Sequence, residues 1–135
     1  MDLDALYEEA LKAAQFAYAP YSHFRVGAAL LAEDGSLHTG ANVENRSYGL
    51  TVCAERSAVF SAVSKGSRRF TALAIAAPDS DYPVGPCGAC RQVLSEFMDE
   101  GAPVYFGGKD GRRVSATIGG LLPFDSLHDL ARREE

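Results

Sequence analysis

The sequence predicts an α/β fold, a layered sandwich in which helices pack on a mixed sheet of about five strands. Three observations carry this expectation. Segments with helical apolar spacing alternate with short, compact apolar runs. An Asp34-Gly35 pair separates two strand-like runs, the signature of a hairpin. At 135 residues the chain is long enough for one core and short for two, so residues 1–135 are read as a single domain.

The elements follow in order. Leu3, Leu6, Tyr7, Ala10, Leu11, Ala14 and Ala17 recur at helical spacing and Pro20 stops the segment, so the chain opens on a helix packed by one face. Val26 to Ala32 reads as a strand. Glu33-Asp34-Gly35 turns the chain, because glycine tolerates the positive φ a tight turn requires, and a second strand runs toward Asn42. Cys53 to Lys65 carries Ala54, Ala58, Val59, Ala62 and Val63 at helical spacing, with Gly66 as the C-cap. Phe70 to Ala77 reads as a buried strand, Pro78 to Pro86 as loop, and Cys87 to Met98 as a helix closed by Gly101. Val104 to Phe106 is another buried strand. Lys109-Asp110-Gly111 then turns into an extended segment ending near Thr117, followed by a short tail. Strands joined through helices imply right-handed crossovers and a mostly parallel portion of sheet.

Composition narrows the function classes. A content of 47% hydrophobic and 23% charged residues fits a globular chain rather than a disordered one. The net charge of −5 argues against a nucleic-acid partner, which would call for a Lys/Arg-rich face. The dense basic spots, Arg68-Arg69 and Arg112-Arg113, read as solvated loop charges. No apolar run approaches the ~18 residues of a membrane span. The acidic start, Met1-Asp2-Leu3-Asp4, does not resemble a secretory leader. The expectation is a cytoplasmic protein with neither a membrane nor a nucleic acid as partner.

The three cysteines cannot all pair with one another, and in a reducing compartment their spacing points to metal or redox chemistry. Cys53-Ala54-Glu55 and Pro86-Cys87-Gly88-Ala89-Cys90 each open a predicted helix. Three thiolates bind zinc and leave a fourth tetrahedral position for water, the pattern of a catalytic site. Helix N-termini favour thiolate over thiol. Glu55, in the first turn, is suited to act as general acid and base for that water. Arg56, three residues after Cys53, is placed to donate to a thiolate and offset the negative charge of a three-thiolate site. Two other readings stand beside this one. Cys87-Gly88-Ala89-Cys90 also suits a dithiol redox site, which gives no role to Cys53 or Glu55. A structural zinc site could be completed by His23, His38 or His128.

Four motifs stand in order along the chain: Phe24-Arg25-Val26-Gly27-Ala28-Ala29-Leu30, Asn42-Val43-Glu44-Asn45, Cys53-Ala54-Glu55-Arg56, and Pro86-Cys87-Gly88-Ala89-Cys90-Arg91-Gln92-Val93. Together they resemble the zinc-dependent nucleoside deaminases, and among them the homotetrameric cytidine deaminases. The resemblance runs from about Tyr18 to Pro123. It implies a three-layer α/β/α sandwich of the cytidine deaminase-like type, with one zinc per subunit held by Cys53, Cys87 and Cys90. It implies hydrolysis of cytidine and 2′-deoxycytidine to uridine and 2′-deoxyuridine plus ammonia, by zinc-activated water with Glu55 as the proton shuttle. Phe24 would lie against the pyrimidine, Asn42 and Glu44 would hold the ribose hydroxyls, and Ala54 would offer its backbone N–H to the base. Tyr48 would help build the site across a subunit boundary. The sequence departs from the family at Arg46, where a small residue is usual, and at Phe124, which stands two residues before the expected aromatic position. A deaminase of a modified cytosine nucleoside such as blasticidin S shares the zinc motifs, and a structural zinc module is the non-enzyme alternative.

Overall fold

The computed structural model describes residues 1–127. Helix α1 (Leu3–Ala14) is followed by strands β1 (Gly27–Ala32) and β2 (Leu37–Ala41), helix α2 (Ala54–Ser64) and strand β3 (Phe70–Ala77). Helix α3 (Gly88–Phe97), strands β4 (Pro103–Gly108) and β5 (Arg113–Thr117) and a single turn of helix, α4 (Ile118–Leu121), complete it. The five strands form one sheet in the order β2-β1-β3-β4-β5.

The sheet is mixed, as expected, and its parallel portion is a single pair. Only β3 and β4 pair in parallel, and the other three neighbouring pairs are antiparallel. The reason is the position of β1, which lies between β2 and β3 and runs against both. Helix α2 therefore does join two strands of the same direction, but with β1 inserted between them. Strand β1, Gly27-Ala28-Ala29-Leu30-Leu31-Ala32, is almost wholly buried and suits a centre, whereas β2 exposes Thr39 and suits an edge.

Alternation along the central strands sorts side chains between two layers. Leu6, Tyr7 and Ala10 of α1 pack on Ala29, Ala72, Ala74 and Ala76. On the opposite face, Ala58, Val59 and Ala62 of α2 and Leu94 of α3 pack on Ala28, Leu30, Leu73, Ile75 and Val104. This is the three-layer α/β/α arrangement. Burying a side chain such as Leu30, Leu73 or Ile75 contributes roughly 1.5–3 kcal/mol each. The helices approach closely where the sheet offers glycine. A Cβ on Gly40 would lie 2.7 Å from the Ala54 carbonyl oxygen and closer still to the Ala58 nitrogen, so α2 sits almost on β2. That contact fixes the helix whose first turn carries Glu55.

Three local features differ from the sequence reading or extend it. Helix α1 ends at Ala14, well before Pro20. Tyr18 instead pairs with Val43, its N–H donating to the Asn42 carbonyl and its own carbonyl accepting from the Glu44 N–H. The tail contains α4, capped by Thr117, whose hydroxyl accepts from the Gly120 N–H at 3.1 Å. Of the basic spots, Arg69 pairs with Asp99 and Arg112 with Asp110 at the surface, while the Arg113 guanidinium lies 3.8 Å over the Tyr7 ring. Among the described residues no helix is long and apolar enough to cross a membrane.

Candidate active site

The N-termini of α2 and α3 meet. Cys53 is the N-cap of α2, Cys87 is the N-cap of α3, and Cys90 lies in the first turn of α3. Neither N-cap sulfur caps its own helix, so both face the shared cluster. The three sulfurs lie within 4.8 Å of one another, with 3.8 Å between Cys53 and Cys87 and 3.4 Å between Cys87 and Cys90. Zinc–sulfur bonds of about 2.3 Å at tetrahedral angles set sulfurs about 3.8 Å apart, so these residues fit the metal. All three are free thiols; Cys87 is exposed, Cys53 half-buried and Cys90 buried.

The backbone adds to this. The first intrahelical bonds run from the Ser57 N–H to the Cys53 carbonyl and from the Arg91 N–H to the Cys87 carbonyl. The amides before them have no acceptor within their own helices, and the positive ends of both helices converge on the sulfurs. Neither His23 nor His38 belongs to the cluster. His23 is exposed, and His38 is buried in β2 with its Nε2 on Ser36 and Ser67. His128 lies outside the described residues.

The electrostatics single out one carboxyl. Glu55 is only 4% exposed. Burial pushes its pKa up to about 7, helped by the charge on Cys53. The Cys53 thiol is held down to about 5, first by the hydrogen bond with Cys90 and then by Arg56. Cys90 is pushed up by the same contact and by burial. Arg56 Nη2 donates to Cys53 Sγ at 3.4 Å, and this contact raises the guanidinium pKa. Its Nε is buried with no acceptor among the described residues.

Two of the other predicted residues, Asn42 and Glu44, lie on a ladder that leads to Cys53. Val43 exchanges two 3.0 Å backbone bonds with Val52, the residue before Cys53. Asn42 and Glu44 flank Val43. The Asn42 amide, 8% exposed, accepts from the Val26 N–H at 2.9 Å and donates to the Phe24 carbonyl at 2.8 Å. The Glu44 carboxylate accepts from the Tyr21 and Ser22 N–H groups at 3.0 and 3.2 Å and from the Ser22 hydroxyl. Both side chains therefore brace the loop that presents the half-buried Phe24. Ala54 is fully buried as the first residue of α2. Tyr48 sits in a 3-10 turn, Tyr48–Leu50, 75% exposed, with its ring edge-on to Tyr21 at 6.1 Å. Phe124 is 93% exposed.

Two contacts were not legible beforehand. Arg91 donates from Nε to the Pro86 carbonyl at 2.8 Å and from Nη1 to the Leu121 carbonyl at 3.1 Å, tying the approach to Cys87 to the end of α4. Arg25 meets Asp79 across 54 residues of sequence. Both arginines stand inside the quoted motifs, yet no spacing rule names their partners.

Comparison with known proteins agrees with this geometry. The family model for the cytidine and deoxycytidylate deaminase zinc-binding region matches residues 1–106. The chain is 53% identical over 123 residues to a cytidine deaminase of Sporosarcina psychrophila, covering 91% of this chain and 90% of that one. It is 52% identical over 123 residues to a cytidine deaminase of Halalkalibacterium halodurans, covering 91% and 92%. The crystal structure of cytidine deaminase from Burkholderia pseudomallei superposes with a TM-score of 0.87 at 46% identity, covering 91% of this chain and 98% of that one. With the paired helix N-termini, the clustered thiols and the buried Glu55 in place, these matches show that the chain belongs to the zinc-binding cytidine deaminase family.

Proposed function

We propose that the chain is a zinc-dependent hydrolase that converts cytidine and 2′-deoxycytidine to uridine and 2′-deoxyuridine with release of ammonia. The observation that carries this is Glu55, a carboxyl buried beside three sulfurs that lie within 4.8 Å of one another, where burial raises its pKa. Such a group both accepts and returns a proton at neutral pH. Zinc, when bound by Cys53, Cys87 and Cys90, supplies an acidified water as nucleophile for C4 of the cytosine. Glu55 would take one proton of that water and deliver it to N3, then take the second from the new C4 hydroxyl and pass it to the departing amine, which leaves as ammonia while C4 becomes a carbonyl. Arg56 offsets the excess negative charge of the sulfurs.

Phe24 packs on the pyrimidine, and the Ala54 N–H, without an acceptor in its own helix, holds the base. Asn42 and Glu44 take the ribose hydroxyls. An amide offers two donors and an ionised carboxylate about four acceptor sites. The loop uses one Asn42 donor and three Glu44 sites, which leaves capacity for a sugar. A bare base would leave those groups unpaired, so the substrate is the nucleoside.

The enzyme is read as a homotetramer in the cytoplasm, with residues 1–135 forming one domain. Tyr48 then serves a neighbouring subunit's site, and its 75% exposure beside exposed Val43 and Leu50 supports a surface that a partner covers. The test is incubation of purified protein with each nucleoside and assay of both products. Equimolar uridine and ammonia are expected. Turnover confined to a modified cytosine nucleoside, or none in zinc-loaded protein, would contradict the reading.

A further inference from the structure

We propose that Asp79 is a positioning residue for substrate binding, which with Arg25 clamps the loop that presents Phe24. The inference rests on the reading of Phe24, Asn42 and Glu44 as nucleoside contacts.

The segment between Tyr21 and Val26 is neither helix nor strand, yet each of its backbone N–H groups has an acceptor. Tyr21 and Ser22 donate to Glu44, and His23 donates to the Ala19 carbonyl at 2.9 Å. Phe24 donates to Ser22 Oγ at 3.0 Å, Arg25 to Asp79 Oδ2 at 2.9 Å, and Val26 to Asn42 Oδ1 at 2.9 Å. A connecting loop left to itself would satisfy most of these groups with water. Here they are used to set one conformation.

That conformation is a strained one. His23, immediately before Phe24, has φ +59°, a left-handed conformation that L-residues other than glycine seldom adopt. Such strain persists when the surrounding structure over-determines it, and it gathers where a site is pre-organised. Of the acceptors, Glu44 and Asn42 are themselves assigned to substrate, and Ala19 and Ser22 belong to the same loop. Asp79 is the one acceptor that neither belongs to this loop nor is assigned to substrate, and it reaches in across 54 residues of sequence. It follows β3 by two residues, on the connection that leads to Cys87.

The contact is built for placement. Asp79 Oδ2 accepts from the Arg25 N–H and from Nε at 3.0 Å, and Oδ1 accepts from Nη2 at 2.8 Å. An exposed ion pair is worth little by itself, but a bidentate fork adds direction as well as attraction. With the Arg25 N–H also held, the backbone directly after Phe24 is fixed to the connection that follows β3. The Arg25 guanidinium and backbone N–H hold the Asp79 carboxyl down to about 2, so the pair stays ionised across the working range of pH. Asp79 touches neither sugar nor metal in this scheme; it acts through Phe24 and the residues that share its loop.

The experiment is steady-state cytidine kinetics on wild type, Asp79→Ala, Asp79→Asn, Arg25→Ala and the Asp79→Ala/Arg25→Ala double variant, with zinc content and Tm for each. Asp79→Ala should raise KM about tenfold, a loss of about 1.4 kcal/mol of binding, with kcat nearly unchanged and zinc retained. Asp79→Asn, which keeps an acceptor for the Arg25 N–H, should recover part of the loss. Arg25→Ala should fall short of Asp79→Ala, and the double variant should be no worse than Asp79→Ala. A KM for Asp79→Ala equal to that of active wild type, or a fall in Tm and kcat with KM unmoved, would overturn the clamp and leave the nucleoside reading intact. Wild type that fails to turn over cytidine would overturn that reading and the clamp with it.

Discussion

Arg56 Nη2 lies 3.4 Å from the sulfur of Cys53, one helical turn away, and it is the cation in direct hydrogen-bond contact with the thiol cluster among the described residues. Three thiolates on a divalent metal leave one negative charge, which opposes ionisation of a bound water. The guanidinium returns the cluster toward neutrality. Arg56→Gln is expected to fold normally, lose zinc more readily to a chelator and turn over about 10–100-fold more slowly, the usual range for a group that tunes a metal's ligands. Unchanged kcat and unchanged chelator resistance would contradict its role.

Glu55 is the proposed proton shuttle. Glu55→Gln replaces a buried carboxyl with an amide of nearly the same shape, so folding and zinc content should match wild type. Turnover should fall by at least ~10²-fold, the low end for a positioned general acid and base. A kinetic assay paired with metal analysis separates this outcome from simple loss of the metal, and a normal rate would remove Glu55 from the mechanism.

Cys90 is the buried member of the cluster. Cys90→Ala should cost metal, activity and thermal stability together, because a metal that binds only the folded chain contributes its binding energy to folding. Calorimetry with and without added zinc reads the stability, and metal analysis and a turnover assay read the rest. Wild-type protein should gain Tm from zinc and the variant should not. A metal-replete, active Cys90→Ala would remove this residue from the ligand set.

Acid stability reports on Asp79. Its folded pKa, about 2, lies below the ordinary carboxylate value because of Arg25. The stabilisation is therefore present above the unfolded value, near pH 4, and is lost as pH falls toward 2. The gap in Tm between wild type and Asp79→Asn should be constant near neutrality and should close between about pH 4 and pH 2. A gap that persists undiminished at the acid end would mean that the carboxylate is not paired as described.

Much of this was legible in the sequence because the chemistry sits at helix starts. Cys53 and Cys87 stand at the N-cap positions of the helices that their own spacing predicts, and Glu55 falls in the first turn of α2 as expected. The Asp34-Gly35 turn holds as well, with Gly35 at φ +89°. What was not legible depends on pairing. A hairpin pattern does not say on which side the next strand adds, so the apolar run of β1 suits a central strand without naming β3 as its second neighbour. The end of α1 at Ala14 is set by the partners of Tyr18, which are Asn42 and Glu44 more than twenty positions later. Helix α4 is four residues with two glycines, Gly119 and Gly120, a composition of poor intrinsic helix propensity. The bracing of Phe24 by Asn42, Glu44 and Asp79 joins three stretches of chain, and periodicity within any one of them is silent about it.

The most direct test of the account is cytidine turnover and zinc content measured on one preparation, before chelation, after chelation and after zinc is restored. About one zinc per chain, with turnover lost on chelation and regained with the metal, is the expected result. Turnover that survives complete removal of zinc, or a zinc-loaded chain that leaves cytidine unchanged, would contradict it.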